Sequence, residues 1–172
     1  MALFDISLPP SIAKALNLPG KSPERQQLRV VTNGFEVARE LAENPSNNVI
    51  LIGGVVNNNS SSVTGLLSER IIEELRIEKA FLSCSGFSLE RGMTEILFAE
   101  AQIKRKVIES SQQLYALVDS SKFGREDLTS FASLKRISRL FTDGGLSPDW
   151  VERFQQARLE YTICEEEMAS VK

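Results

Sequence analysis

The chain has 172 residues, of which 42% are hydrophobic and 25% charged, and this balance is typical of one ordinary globular domain rather than of a disordered segment. Its formal net charge is −3 and its Lys and Arg are scattered, so it has no basic stripe of the kind that binds nucleic acid. It has no histidine, and its two cysteines have no metal-ligand spacing, so the commonest general base and metal ligand are missing. The cysteine spacing favours a reducing, cytoplasmic setting, and with no long apolar run and no signal-peptide pattern we expect no membrane contact. No cofactor is expected either.

Short apolar runs alternate with helical patterns along the whole chain. The predicted strands cover residues 2–4, 28–32, 49–52, 80–82, 115–118, 140–141 and 159–163. The predicted helices cover residues 35–43, 66–75, 99–109 and 150–157. This alternation predicts an α/β fold with a mostly parallel sheet and helices on both faces.

Three details refine that prediction. The strand Val49–Ile52 is apolar at every position, as expected for a parallel strand covered on both sides. In the second helix, Leu67, Ile71 and Leu75 share one face, which we expect to pack in the core. The polar run at 57–62 reads as a loop rather than a linker, so residues 1–172 are expected to form one domain.

Small and polar residues follow almost every predicted strand. In chain order these are Asp5 and Ser7; Asn33 and Gly34; Gly53 and Gly54; Ser83, Ser85 and Gly86; Asp119, Ser120, Ser121 and Lys122; and Asp143, Gly144 and Gly145. Because ligands of open α/β sheets lie outside the carboxyl ends of the strands, this pattern indicates a polar crevice there. Turn formation and helix capping account for the same residue types, so for any one loop both readings stay open.

The ordered set of segments resembles the C-terminal effector-binding domain of the DeoR family of bacterial transcriptional repressors. The matching stretches are VVTNGFEVARELAENP (Val30–Pro45), VILIGGVV (Val49–Val56), GLLSERIIEEL (Gly65–Leu75), KAFLSCSGFSLERGMTE (Lys79–Glu95), EAQIKRKVIESS (Glu100–Ser111), VDSSKFGR (Val118–Arg125) and FTDGG (Phe141–Gly145). They run in the family's order and cover most of the chain. The resemblance implies a fold similar to ribose-5-phosphate isomerase and the CoA-transferase-like proteins.

The resemblance also implies a function, which is to bind a phosphorylated sugar or related metabolite and so control DNA binding. The implied ligand-binding residues are Asp5, Ser7, Asn33, Gly53, Gly54, Gly86, Glu100, Lys104, Asp119 and Lys122. Lys122 and Lys104 are expected to contact an anionic group, and Asn33 and Asp119 the sugar hydroxyls. A homo-oligomer is implied as well, without a defined number of subunits.

The chain departs from the family pattern in three ways. The winged helix-turn-helix that the family carries ahead of this domain has no counterpart here, so we expect DNA contact only through an N-terminal domain absent from this chain. The segment Asp5–Ser11 lacks the family's threonine pair, and Pro9 and Pro10 have no backbone N–H to offer an anion. The stretch Ser83–Phe87 carries no acid where the isomerase loop has aspartates.

Three functions remain open at this point. A sensor is favoured because it needs only differential affinity between two states. A sugar-phosphate isomerase would need a positioned base, and although Glu100 is available, the loop after the fourth strand supplies no second carboxylate. Cys84 has no histidine to activate it as a nucleophile. The third possibility is an oligomerisation module that has lost its ligand.

Overall fold

The structure is a computed structural model, and residues 2–4, 28–57 and 61–164 are described. The strands are β1 (Ala2–Phe4), β2 (Arg29–Thr32), β3 (Asn48–Leu51), β4 (Val55–Asn57), β5 (Ser62–Thr64), β6 (Ile77–Leu82), β7 (Gly86–Ser88), β8 (Gly92–Glu95), β9 (Ser111–Leu117), β10 (Thr129–Ala132), β11 (Ile137–Asp143) and β12 (Tyr161–Cys164). The α-helices are α1 (Phe35–Ala42), α2 (Leu66–Glu73), α3 (Phe98–Glu109) and α4 (Pro148–Gln156).

A seven-stranded sheet forms the centre of the described residues, in the order β12-β11-β9-β6-β1-β2-β3. Every neighbouring pair in it is parallel. The predicted α/β fold with a mostly parallel sheet is therefore confirmed. All seven predicted strands occur in it, with boundaries that differ by a few residues.

Side chains of the central strands alternate between two hydrophobic clusters, one on each face of the sheet. On β9, Leu114 and Ala116 belong to the larger cluster, and Leu117 belongs to the smaller one. Helices α2, α3 and α4 contribute buried residues to the larger cluster, and α1 contributes Leu41 to the smaller one. Helices thus lie on both faces, as predicted.

The predicted core face of α2 is wrong by one position. Ser68 and Ile72 are the buried residues of this helix, whereas Leu67 is 65% exposed. Leu75 lies just beyond the helix and packs partly against the larger cluster. Both sets of residues have helical spacing, and the sequence pattern alone does not distinguish them.

Two smaller β-structures were not predicted. Strands β4 and β5 pair as an antiparallel hairpin, so Asn57 and Ser62 are strand ends rather than loop residues, while 58–60 lie outside the described ranges. Strands β7, β8 and β10 form a three-stranded antiparallel sheet. None of the helices within the described ranges is long and apolar enough to cross a membrane.

Candidate functional site

The strand order locates a crevice before any side chain is considered. From β1 the chain proceeds through β2 and β3 toward one edge of the sheet, and from β6 it proceeds through β9, β11 and β12 toward the other. The direction therefore reverses between β1 and β6. Loops diverge at such a switch point and leave room for a ligand at the carboxyl ends of the strands.

Asp5 and Ser7, the predicted ligand-binding residues after β1, lie outside the described residues. The segments that follow β2, β6 and β9 leave the same edge of the parallel sheet and are described.

A buried ion pair lies beside the end of β6. Lys104 of α3 is 0% exposed, and its Nζ lies 2.5 Å from Oε1 of Glu95, at the end of β8. The ammonium also donates to the carbonyl oxygen of Ser83 at 3.1 Å, and it lies 5.3 Å from the centroid of the Phe131 ring. The other oxygen of Glu95 accepts a 2.6 Å hydrogen bond from the Ser85 hydroxyl. Both charges are thus compensated in the interior, as burial requires.

A second polar chain joins the end of β2 to the same helix. The Asn33 amide donates to the Val63 carbonyl at 3.2 Å, and the Ser62 hydroxyl donates to Glu100 Oε1 at 2.7 Å. Asn33, Ser62 and Glu100 are all buried. Because Glu100 lies one turn before Lys104 on α3, the two polar chains meet on this helix. We refer to the side chains of Asn33, Ser62, Ser85, Glu95, Glu100 and Lys104, all buried except the part-buried Ser85, as the buried polar network.

Other atoms of the protein lie close against two of the three glycines that were predicted to bind the ligand. A Cβ on Gly54 would collide with the Thr64 carbonyl and the Ser68 hydroxyl, and a Cβ on Gly86 would collide with the Arg125 carbonyl. At these two positions the need for glycine is explained by internal packing. Gly53 differs, since a Cβ there would meet nothing within 4 Å, so its backbone is open on that side.

Asp119 and Lys122 lie in a 3-10 turn that directly follows β9. The Asp119 carboxylate accepts a 2.9 Å hydrogen bond from the Ser121 N–H and so caps this turn. The Lys122 side chain is half-buried, and no carboxylate among the described residues lies within ion-pair distance of its ammonium. Since β6 and β9 are neighbours in the sheet, this turn adjoins the Ser83–Ser85 segment.

Asp143, at the end of β11, fixes the position of that turn. Its two carboxylate oxygens accept from the N–H groups of Ser120 and Gly145, at 2.7 and 2.8 Å. Burial raises the pKa of Asp143, but hydrogen bonds from Ser120 and Gly145 outweigh it, and the net pKa is lowered. The carboxylate is therefore ionised at neutral pH and holds the β9 and β11 ends together.

Cys84 lies among the charges of this region as a buried thiol. Burial, partly offset by the positive charge of Lys104, raises the pKa of its thiol to about 12; Glu95 raises it further, and Lys122 lowers it. A thiol with this pKa stays protonated at neutral pH, and the thiolate is the reactive form. Cys84 instead packs in the larger hydrophobic cluster.

Sequence reasoning missed Glu95, and with it a second carboxylate. We predicted that the loop after β6 has no acidic partner, but that prediction rested only on the residues adjacent in sequence. The β7–β8 hairpin brings Glu95 back to Ser85 and Lys104. The sequence signal for this hairpin was the glycine at position 92. Glycine readily adopts a positive φ, and Gly92 has a φ of +69° in the hairpin turn. Among the described residues, no group of acidic or cysteine side chains is arranged to hold a metal ion.

The comparisons with known proteins all indicate the same family. The sequence model described as "DeoR C terminal sensor domain" matches residues 12–144. The uncharacterized HTH-type transcriptional regulator YulB of Bacillus subtilis is 38% identical over 79% of this chain and 53% of its own length. The HTH-type transcriptional regulator GolR of Listeria innocua is 34% identical over 90% of this chain and 59% of its own length.

A third relative is named after a metabolite. The glycerol-3-phosphate regulon repressor of Escherichia coli is 29% identical over 80% of this chain and 54% of its own length. The chain therefore spans between half and three fifths of the length of these relatives.

Proposed function

Since the chain belongs to the family of DeoR C-terminal sensor domains, we propose that it binds a phosphorylated sugar or related metabolite at the switch point between β1 and β6. In this proposal Lys122 receives the phosphate and the buried polar network orients the hydroxyls. Ligand binding then changes the affinity of an attached DNA-binding segment for its operator.

The observation that carries the proposal is the position of Lys122 and the lack of an acidic partner for its ammonium among the described residues. Lys122 is a half-buried residue at the carboxyl end of β9, and its ammonium has no carboxylate partner within ion-pair distance among the described residues. An anionic ligand would supply the missing charge. The neighbouring Ser120 and Ser121 offer hydroxyl groups on the same turn.

The buried polar network supports the sugar part of the proposal. Its carboxylates, serines and amide are held in place by one another, as in the bonds from Ser62 to Glu100 and from Ser85 to Glu95. Groups fixed in this way bind a polyol without further loss of side-chain entropy. A buried ion pair such as Lys104–Glu95 adds little to stability compared with apolar packing, so a role in recognition gives a reason for its presence.

The relatives support the regulatory part. All three are named as transcriptional regulators or repressors, two of them of the HTH type, and one is named for glycerol 3-phosphate, a small phosphorylated polyol. The switch itself requires that the ligand bind one state of the whole regulator more tightly than the other.

A thermal-shift screen tests the proposal. The chain is heated with pentose, hexose and triose phosphates, with the free sugars, and with inorganic phosphate. A phosphorylated ligand at about 100 times its Kd adds roughly 2.7 kcal/mol, which raises Tm by several degrees. Lys122→Ala should remove the shift. Lys135→Ala is the matched control, because Lys135 is an exposed lysine in another 3-10 turn. A panel in which no sugar phosphate raises Tm would contradict the proposal and favour a pure oligomerisation module.

One observation favours a second candidate, a sugar-phosphate isomerase. Glu95 and Glu100 give the network the two carboxylates that the loop after β6 does not supply. An isomerase removes a proton from the carbon beside the carbonyl, so substrate incubated in D2O would gain deuterium at that carbon. Binding without deuterium incorporation, followed by NMR, indicates the sensor; incorporation that is lost in Glu100→Gln indicates the enzyme.

A further inference from the structure

Five aromatic side chains form one cluster next to the 3-10 turn that carries Lys122. They come from β7, from the residue that ends this turn, from α4 and from β12, and they are Phe87, Phe123, Trp150, Phe154 and Tyr161. We call this set the aromatic cluster. Phe87 and Phe154 are 0% exposed, and the other three are half-buried and pack against the larger hydrophobic cluster. The aromatic cluster is therefore continuous with the core.

Phe123 directly follows Lys122 and anchors the turn in the aromatic cluster. The centroid of its ring lies 5.2 Å from that of Trp150 and 5.5 Å from that of Phe87. The backbone is fixed at the same place, because the Gly124 N–H donates to the Phe87 carbonyl oxygen at 2.9 Å. The main chain on the C-terminal side of Lys122 is thus held by both ring contacts and a hydrogen bond.

Trp150 of α4 packs against two separate segments of the candidate site. Its ring centroid lies 6.3 Å from that of Phe87, which is two residues after Ser85 of the buried polar network. A Cβ on Gly124 would lie 3.7 Å from Cζ2 of Trp150, so the indole also lies along the backbone that leaves the turn. One side chain therefore contacts both the segment that carries Lys122 and the strand that follows Ser85.

These two segments bring their polar groups close together. Burial is the main cause of the raised pKa of Cys84, and the positive charges of Lys104 and Lys122 both act on this thiol in the opposite direction. Both ammonium groups therefore lie near Cys84. Since a phosphorylated polyol has to meet its anion site and its hydroxyl site at the same time, the distance between Lys122 and the buried polar network must match the ligand.

We propose that Trp150 is a positioning residue for the ligand site, and that through Phe123 and Phe87 it sets the distance between Lys122 and the buried polar network. This inference rests on the proposed function, in which Lys122 receives the phosphate. Ring pairs at these separations favour particular relative arrangements, so they hold the turn in place before a ligand arrives. Less of the loop then has to be ordered on binding, which favours affinity.

Hydrogen exchange of the ligand-free chain tests the proposal without knowledge of the ligand. Mass spectrometry follows exchange in peptides that cover residues 119–125. Trp150→Ala should raise the exchange rate there by about threefold to tenfold, the factor equivalent to losing one aromatic pair. Trp150→Phe keeps a ring at this position and should restore most of the protection. Tyr161→Ala is the matched control, because among the described ring pairs Tyr161 packs on Phe154 at 5.4 Å and not on Phe123.

Binding affinity gives a second readout. The pentose, hexose or triose phosphate that raises Tm most is titrated into the wild-type chain and into the same three variants. Trp150→Ala should raise its Kd by about threefold to tenfold and leave the Kd of the free sugar unchanged. Trp150→Phe and Tyr161→Ala should keep both Kd values near those of the wild type. If a thermal melt shows that Trp150→Ala is unfolded, Trp150→Leu replaces it, since leucine keeps apolar volume without a ring.

Two results would overturn the proposal. One is exchange in residues 119–125 that is the same in Trp150→Ala and Tyr161→Ala. The other is a Kd of the sugar phosphate that Trp150→Ala does not change, or changes only as much as the Kd of the free sugar, because Trp150 would then act on the fold alone. A panel in which no sugar phosphate binds the wild type would contradict the proposed function instead, and the exchange comparison would still decide whether Trp150 holds the turn.

Discussion

Lys104 Nζ lies 2.5 Å from Glu95 Oε1, and both side chains are buried beneath the carboxyl end of β6. The pair joins α3 to the β7–β8 hairpin, two parts of the chain that the parallel sheet does not connect directly. Removing one charge would leave the other in a medium that cannot solvate it. The pair therefore couples the geometry of the candidate site to the stability of the fold.

Replacing Lys104 by methionine is expected to destabilise the chain by about 3–5 kcal/mol, because Glu95 is left buried without its counter-ion. Urea denaturation followed by circular dichroism measures the loss. The double variant Lys104→Met/Glu95→Gln should recover a large part of it, since the uncompensated charge is then gone.

Lys106→Met is the matched control on the same helix. Lys106 pairs with Glu73 and Glu109 near the surface, where solvent screens the charges, so Lys106→Met should cost much less stability than Lys104→Met. If Lys104→Met and Lys106→Met lowered the free energy of unfolding equally, the Lys104–Glu95 pair would not be a buried ion pair as described.

Gly92→Ala is expected to destabilise the β7–β8–β10 sheet. Gly92 has φ of +69°, and a Cβ on it would collide with the Ala132 carbonyl. The cost should be about 1–3 kcal/mol, the range for a strained backbone position. Gly144→Ala serves as control, because Gly144 has open space around it. Chemical denaturation measures the free energy of unfolding of both variants. An unchanged free energy in Gly92→Ala would contradict the hairpin geometry.

Cys84 is expected to resist thiol reagents in the folded chain. Because burial raises its pKa to about 12, the thiolate is only about one ten-thousandth of the population at pH 8. Ellman's reagent should therefore detect no fast-reacting thiol in buffer, and both of the chain's cysteines after unfolding in urea. Stoichiometric reaction of Cys84 within seconds under native conditions would show that it is accessible and ionised.

Asp143→Asn is expected to lower stability at neutral pH by about 1 kcal/mol, through weaker hydrogen bonds to the N–H groups of Ser120 and Gly145. The folded pKa of Asp143 is below its ordinary value of 3.8, so its contribution is present above that value and is lost as the pH falls through the folded pKa. The free-energy gap between wild type and variant should be constant from pH 6 to 7 and should narrow below about pH 4. A gap that does not change with acid would contradict the role given to the carboxylate.

The sheet could be predicted from the sequence because its signal is local. Apolar runs such as Val49–Ile52 and Tyr115–Val118 stand out from the helical patterns around them, and parallel strands must be joined by crossovers. The short antiparallel strands could not be predicted in this way. Strand β7 has three residues and includes Gly86, so it carries no periodic pattern to detect.

The candidate site was only partly predictable for the same reason. Positions at strand ends, such as Asn33 and Lys122, can be identified once the strands are known. Glu95 reaches the site through a hairpin, and Ser62 through the pairing of β4 with β5, so their proximity depends on tertiary packing. Conversely, Gly54 and Gly86 match a ligand-binding pattern, although protein atoms occupy the space beside them.

Isothermal titration calorimetry tests the central claim most directly. The sugar phosphate that raises Tm most is titrated into the wild-type chain, into Lys122→Ala and into Lys135→Ala, and the corresponding free sugar into the wild type. We expect Lys122→Ala to raise Kd about tenfold or more, Lys135→Ala to leave it unchanged, and the free sugar to bind as weakly as the phosphate binds to Lys122→Ala. Equal affinities for the phosphate and the free sugar, or a Kd unaffected by Lys122→Ala, would contradict the proposal that Lys122 and the switch-point crevice form the sensor site.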